Sequence, residues 1–297
     1  MQNWDDLRLF LAVAREESLS GAGKVLQLDP ATLGRRVARL EAALDAALFV
    51  KSPQGYALTD AGAQLMERAE AAEQAMRLAT SGVAAPSDRL SGLIRIGAPD
   101  GCANFLLPQV CARLGEAHPD LEVQVVALPR VFNLSKREAD MAIAVSAPTA
   151  GQLLVQKITE YHLHLAASDA YLAGHPAIKS TADLKGHRLV GYIPDMIFDR
   201  ELDSLAELGR GRVARSANSA AGQAQMRRQG AGIGVVHDFS LPLVSGLQRV
   251  LADQVSLRRA FYLIRHQGDQ HNLRLRRFAQ DLSAALRSEV AHLEAKA

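Results

Sequence analysis

Apolar residues recur three and four positions apart through the first eighty residues, then give way to short continuous runs. Leu7, Phe10, Leu11 and Ala14 mark one face of a helix over residues 4–16. Ser18 offers an N-cap to a second helix running through Leu26. Asp29 caps a third, with Pro30 at its first position, where a missing N–H costs nothing. Leu33, Val37, Leu40 and Leu44 form the apolar stripe of that helix, and Arg35, Arg36 and Arg39 lie on its other face. Phe49-Val50-Lys51 and Tyr56-Ala57-Leu58 flank the turn residues Pro53-Gln54-Gly55, so residues 48–58 read as a short hairpin. Thr59 caps a longer fourth helix. Along it Leu58, Gly62, Leu65, Ala69, Ala72, Met76 and Ala79 alternate at spacings of four and three, a heptad seam. About 20 helical residues span roughly 30 Å, and the sequence supplies no core beside them that needs this seam. It is read as pairing with a second copy; the alternative is a helix lying on its own domain.

Ala84-Ala85-Pro86-Ser87-Asp88 has the composition of a linker. Beyond it, strands are expected at 93–97, 121–126 and 141–145, with a helical run holding Phe105, Leu106, Val110 and Leu114 between the first two. Further strands are expected at 162–167, 188–193, 233–236 and 261–265, and a closing helix over 271–292. Strands alternating with helices argue for parallel sheets built from βαβ units, in which ligands sit at the carboxyl ends of the strands.

A short helix, a polar break, a helix carrying Arg and a hairpin make a winged helix-turn-helix, which places its second helix in a DNA major groove. Arg35 and Arg36 can grip a guanine edge with two hydrogen bonds. Lys51 and Gln54 on the wing would meet phosphate or the minor groove, and such contacts position without specifying. Ser18 and Ser20 offer hydroxyls and free N–H groups to phosphate. The plainer readings are a solvated arginine face and simple capping.

Charge does not carry the assignment. The chain of 297 residues has a net charge of +2, and residues 1–60 hold seven Lys/Arg against eight Asp/Glu, a net of about −1. No domain-wide basic field draws in nucleic acid, so affinity must come from where Arg35, Arg36, Arg39 and Lys51 sit. Two cysteines, Cys102 and Cys111, make no disulfide framework and suit a reducing compartment. The opening residues lack the apolar core of a signal peptide, and no run of 18 apolar residues exists to cross a membrane. The expectation is a cytoplasmic protein.

The pattern Ser18, Ala22, Leu26, Ala31, Arg35, Leu40-Glu41, Leu44, Leu48-Phe49, Thr59 and Gly62 resembles the LysR-type transcriptional regulators. The continuation follows the same order: Leu93-Ile94-Arg95-Ile96-Gly97, Leu107-Pro108, His118-Pro119-Asp120, Ala139-Asp140-Met141-Ala142-Ile143 and Gly230-Ala231-Gly232-Ile233-Gly234-Val235. The resemblance implies a DNA-binding domain over 1–58, a linker and dimerisation helix with hinge over 59–88, and an effector domain over 89–297. That last domain is α/β, shaped like a periplasmic binding protein. Lobe I takes about 89–161 and 267–297, and lobe II about 162–266. The resemblance also implies promoter DNA as a partner, a homotetramer built from dimers, a small-molecule effector that changes how the DNA is bent, and RNA polymerase as a further partner. No cofactor is implied.

The start of the third helix then joins the DNA-contacting set, with Pro30, Ala31, Thr32 and Gly34 beside Arg35, Arg36 and Arg39. Gly34 stands where the family usually has Ser, which would shift base readout to Thr32, Arg35 and Arg36. Gly21 and Gly23 replace Ala, Asp45 replaces Gly, and Lys51 replaces Arg. For the effector, the loops after strands supply Pro99, Asp100, Gly101 and Cys102, then Pro129 and Arg130, then Ser146, then Ile193, Pro194 and Asp195, with Ser219 before a later helix. If Asp100 and Asp195 both face the cleft, the ligand carries amine or hydroxyl groups; Arg130 argues the other way.

His162 and His164 alternate with leucines and read as one strand face, not a metal site. His237-Asp238 lacks a nucleophile to complete a catalytic dyad, and Gly230–Gly234 precedes a strand, so it is not a nucleotide loop. Neither catalytic nor metal-binding residues are assigned. Three other classes compete with a regulator: an enzyme with a borrowed DNA-binding module, an exported small-molecule-binding protein, and an architectural DNA-binding protein. The first lacks a catalytic constellation, the second a signal segment, and the third has no need of a large α/β cleft.

Overall fold

A computed structural model describes residues 4–52, 55–81, 89–127, 139–148, 153–205 and 213–297. Gln54, Pro129, Arg130 and the linker 84–88 lie outside the described residues. The chain divides into two compact units, Met1–Ser87 and Asp88–Ala297.

The first unit opens with α1 (Trp4–Glu16), α2 (Leu19–Leu26) and α3 (Pro30–Leu44). Ser18 Oγ accepts from the Gly21 amide at 3.2 Å and Asp29 from the Thr32 amide at 3.0 Å. These are the expected caps, each satisfying one orphan N–H of a first turn. Leu9, Phe10, Leu33, Val37 and Leu40 are buried together. The wing is β1 (Phe49–Ser52) paired antiparallel with β2 (Gly55–Leu58). Phe49 joins the core against Phe10, with ring centroids 5.3 Å apart. Asp45 ends α3 at φ 49°, the left-handed conformation that glycine adopts most readily. The family's usual glycine there has this backbone reason.

α4 (Asp60–Ser81) begins where Thr59 Oγ1 accepts from the Gly62 amide at 3.0 Å. Its seam corrects the sequence reading. Ala69 is buried in the core of the first unit, and Leu58 and Leu65 pack against that core. A Cβ on Gly62 would sit 2.1 Å from the Leu48 carbonyl oxygen, so only glycine permits the approach. Arg15 of α1 reaches Glu73 at 2.8 Å. The first half of the seam therefore serves its own domain. Farther along, Met76 is exposed; the side chain of Ala79 is outside the described residues.

The second unit is built on a seven-stranded sheet in the order β10 (Leu247–Val250), β6 (Leu153–Ser168), β11 (Leu257–His266), β5 (Met141–Ala144), β3 (Gly92–Ala98) and β4 (Leu121–Ala127), with β9 (Gly234–His237) also paired to β6. β3 (Gly92–Ala98) pairs parallel with β4 (Leu121–Ala127) and β5 (Met141–Ala144). α5 (Asp100–Phe105), α6 (Leu107–Ala117) and the closing α9 (Leu273–Glu294) pack with these strands around Ile94, Ile96, Met141 and Phe278. β6 (Leu153–Ser168) and β11 (Leu257–His266) are antiparallel and long enough to serve both lobes. Their register shifts between Phe261 and Tyr262, a bulge that bends the ribbon. Lobe II adds β7 (Leu189–Gly191), β8 (Val213–Ser216), α8 (Ala220–Arg228), β9 (Gly234–His237) and β10 (Leu247–Val250), with α7 (Asp169–Ala173) after β6. The sheet is thus mixed, not purely parallel as expected. β6 was readable only at 162–167, because its first half carries Gln156, Lys157, Thr159 and Glu160 among its apolar positions. β8 and β10 each have four residues and no clear alternation.

Candidate functional site

Two places carry chemistry, one in each unit. In the first, α3 presents Pro30, Ala31 and Arg35 to solvent, with Thr32 half-buried. Arg35 Nη2 lies 3.3 Å from Thr32 Oγ1, a bond on the exposed edge that a base could replace. Ser20 and Lys51 are exposed, and Ser18 is half-buried. Lys51 Nζ lies 5.9 Å from the Tyr56 ring centroid. The arginines do not act as one set. Arg36 donates to Asp5 at 2.5 Å and to Asp6 at 2.8 Å, and Arg39 donates to Asp6 at 2.7 Å. The acidic first turn of α1 ties these two side chains to the scaffold. Burial works against the Arg36 charge, but the Asp5 and Asp6 carboxylates outweigh it and raise its pKa. In return, Arg36 first and Arg8 second hold the Asp5 carboxyl below its ordinary value. Gly34 faces α2, where a Cβ would meet Leu19 Cδ1 at 3.2 Å. The position lies at a close helix contact as well as near the reading edge.

In the second unit, Asp100, Ser146 and Ser219 from the expected effector loops lie at a seam between the lobes. Asp100 starts α5 and accepts from Ser219 Oγ at 2.9 Å and from the Ala221 amide at 3.0 Å. Its carboxylate therefore occupies the N-terminus of α8, where orphan N–H groups favour an anion. Asn104 Nδ2 also donates to it at 2.9 Å. Ser146, after β5, donates to Asp199 across the same seam. Asp100 is thus saturated by its own chain, while Asp195 is exposed on the short turn Pro194–Met196. The basis for a ligand rich in amine or hydroxyl groups is accordingly lost. Gly101 and Cys102 are buried. A Cβ on Gly101 would sit 3.0 Å from His237 Cε1, so the start of α5 packs on that ring.

Behind this seam lies a cavity of about 130 Å³ in lobe II. Pro194, of the residues expected from sequence, lines it. The others on its wall were not anticipated: Tyr192 after β7, Ala220, Gln223 and Arg227 along α8, and His237 at the end of β9. Positions 220, 223 and 227 share one helix face. Arg227 is 2% exposed, and its Nε and Nη1 are buried without a hydrogen-bond partner. Burial lowers its pKa to about 10, so it stays charged at neutral pH; the Tyr192 phenol acts in the opposite sense. Its place in the last turn of α8 helps, because cations are favoured at helix C-termini. His237 is pushed down to about 4 by burial and then by Arg227, and is neutral at pH 7. The sequence signal was slight: an Arg-Arg pair at a helix end reads as solvated, and only the buried spacing of Ala220, Gln223 and Ala224 hints otherwise.

The remaining candidates have structural partners. His162 Nδ1 lies 3.0 Å from Glu294, and His164 Nδ1 lies 2.8 Å from Asp238, which also binds Arg249 at 2.9 Å. His237 and Asp238 thus serve different neighbourhoods. Cys102 and Cys111 are both free thiols, and burial raises the pKa of each. Among the described residues, no group of three or more His, Cys, Asp or Glu is arranged to hold a metal ion, and no helix is long and apolar enough to cross a membrane.

A winged helix-turn-helix joined to a two-lobed α/β unit defines a class of transcriptional regulator, and comparison with known proteins supplies the family. Residues 4–63 match the profile described as the bacterial regulatory helix-turn-helix protein, lysR family, and residues 87–287 match the LysR substrate binding domain. The chain belongs to the LysR family of regulators. It is 27% identical over 190 residues to the HTH-type transcriptional regulator CrgA of Neisseria meningitidis serogroup B, an alignment covering 64% of each chain. That is just under two thirds of the relative's length. The solved structure of CrgA covers 96% of this chain, and 99% of its own, at a TM-score of 0.58 and 24% identity. Full-length OxyR from Pseudomonas aeruginosa gives a TM-score of 0.71 at 16% identity, covering 97% of this chain and 95% of that one.

Proposed function

We propose that this protein is a sequence-specific DNA-binding transcriptional regulator whose grip on promoter DNA responds to a small molecule held in the two-lobed unit. It acts by binding, not catalysis, and in the cytoplasm. The observation that carries the reading is the exposed Thr32–Arg35 edge of α3 on a capped, well-packed winged-helix scaffold. Arg35 is the arginine of α3 left at that edge, so base readout rests chiefly on it, with Lys51, Ser18 and Ser20 positioning on phosphate. Ligand binding shifts an equilibrium between states of the two-lobed unit, by as much as its affinity differs between them. Asp100–Ser219 and Ser146–Asp199 are the contacts such a shift would make or break. Self-association uses the far half of α4, around Ala72 and Met76, since the near half is spent on the domain's own core; the assembly is a tetramer of paired dimers, and RNA polymerase is a further partner.

Fluorescence anisotropy with the DNA upstream of the protein's own gene, against a scrambled duplex and across a salt series, tests this. Tight, selective binding with a steep salt slope is expected. Equal and weak binding to both duplexes would count against it.

A further inference from the structure

We infer that the lobe II cavity is a binding site for a small organic monocarboxylate, held by Arg227. The inference rests on reading the two-lobed unit as ligand-responsive, and it specifies the ligand's chemistry. A buried guanidinium with unpartnered N–H groups is costly unless something answers its charge. Among the described residues, Arg227 Nε and Nη1 have no acceptor. Of the two carboxylates among the described residues of the wall, Glu201 is bonded to Arg259 Nε at 2.6 Å and Asp203 also has a partner. The chain also makes room for the cation. A Cβ on Gly234 would lie 2.7 Å from Arg227 Nη1 and 2.3 Å from the Val190 carbonyl oxygen.

The rest of the wall sets the size and polarity of the guest. Leu163, Val190, Val213 and Val235 supply an apolar lining, with Gln223 as a polar neighbour. At about 130 Å³ the space is comparable to the ~150 Å³ cavity that accommodates benzene in an engineered protein. A carboxylate joined to a short apolar tail fits both features. A second carboxylate would be buried without a partner of its own. The wall also includes the elements that bridge the lobes. Residues 194–205 carry Asp199, bonded to Ser146, and the first turn of α8 carries the bonds to Asp100. An anion drawn onto Arg227 therefore pulls on the segments that hold the seam.

The test is thermal unfolding of the full chain with pentanoate, pentan-1-ol and succinate at constant ionic strength. Pentanoate is expected to raise the Tm of the wild type saturably, and pentan-1-ol and succinate to do so far less. Arg227→Met, which removes a buried unpaired charge, is expected to melt no lower than wild type and to lose the pentanoate response by at least about tenfold in apparent affinity. No wild-type response by about 20 mM pentanoate, or an equal response in Arg227→Met, would overturn the inference. Carboxyl-labelled 13C-pentanoate followed by NMR needs no variant: saturation at one per chain supports the site, and no saturable shift overturns it. Operator binding is measured on the same samples without pentanoate. Selective DNA binding with no pentanoate response sinks the inference alone; a pentanoate response without selective DNA binding sinks the regulator reading alone.

Discussion

Arg36 and Arg227 are both largely shielded from water, and the chain treats them in opposite ways. Arg36 in the first unit meets two carboxylates from α1, at 2.5 Å and 2.8 Å. Arg227 in the second meets none among the described residues, and its Nε and Nη1 lack a hydrogen-bond partner there. The first arrangement uses a cation of α3 to fix that helix to α1. The second keeps a cation in reserve inside a cavity. The contrast teaches that residue type alone does not mark a site. What separates a structural arginine from a functional one is whether the fold has already satisfied it.

Acid should separate the two units most strongly. His237 is held neutral, at about 4 against an ordinary 6.5, by burial and then by Arg227. The unfolded chain takes up a proton on this histidine between those values and the folded chain does not. The stability this lends the second unit is full above about pH 6.5, falls as pH drops toward 4, and amounts to about 3 kcal/mol at most. Asp5 in the first unit has a lowered value, so its contribution persists until pH falls below the ordinary 3.8 and through its folded value. Urea midpoints followed by the fluorescence of Trp4, the single tryptophan, and by far-UV circular dichroism should therefore separate on acidification, the second unit weakening first. His237→Gln should flatten that dependence.

Arg35→Ala comes next. Operator affinity should fall by about 1–3 kcal/mol with selectivity lost, while stability moves by no more than about 0.5 kcal/mol. A smaller effect of a different kind is expected from Asp6→Asn. Removing the partner that Arg39 shares with Arg36 should lower stability by about 1–2 kcal/mol and steepen the salt dependence of non-specific DNA binding, since Arg39 is released while Asp5 still holds Arg36. If Asp6→Asn instead mimics Arg35→Ala, the division between tied and free arginines is wrong. The smallest effect is Asp45→Gly, which should stabilise the first unit by about 0.5–1 kcal/mol by relieving a left-handed backbone, read from the urea midpoint.

The first unit was readable almost residue by residue. Its caps at Ser18, Asp29 and Thr59 and the stripe Leu33-Val37-Leu40 are local signals, and local signals survive folding. What sequence missed there was the packing of the first half of α4 on its own domain, through Leu65 and Ala69, and the pairing of Asp5 and Asp6 with α3, a contact made thirty residues away. The second unit was readable as an alternation of strands and helices, but its antiparallel crossing strands were not, because pairing partners such as Leu163 and Leu257 lie far apart in the chain. Asp100 and Ser219 were singled out from their loops, though sequence could not show that they bond to each other. Arg227 went unnoticed because its burial depends on β7, β9 and the turns after Pro194, none of which is its neighbour in sequence.

Base readout through Arg35 can be checked by selecting bound duplexes from a random DNA library with the full-length protein. One enriched motif is expected, bound at least about a thousandfold more tightly than random DNA and no longer enriched by Arg35→Ala. A retained pool indistinguishable from the input, or enrichment that survives Arg35→Ala unchanged, would contradict that readout.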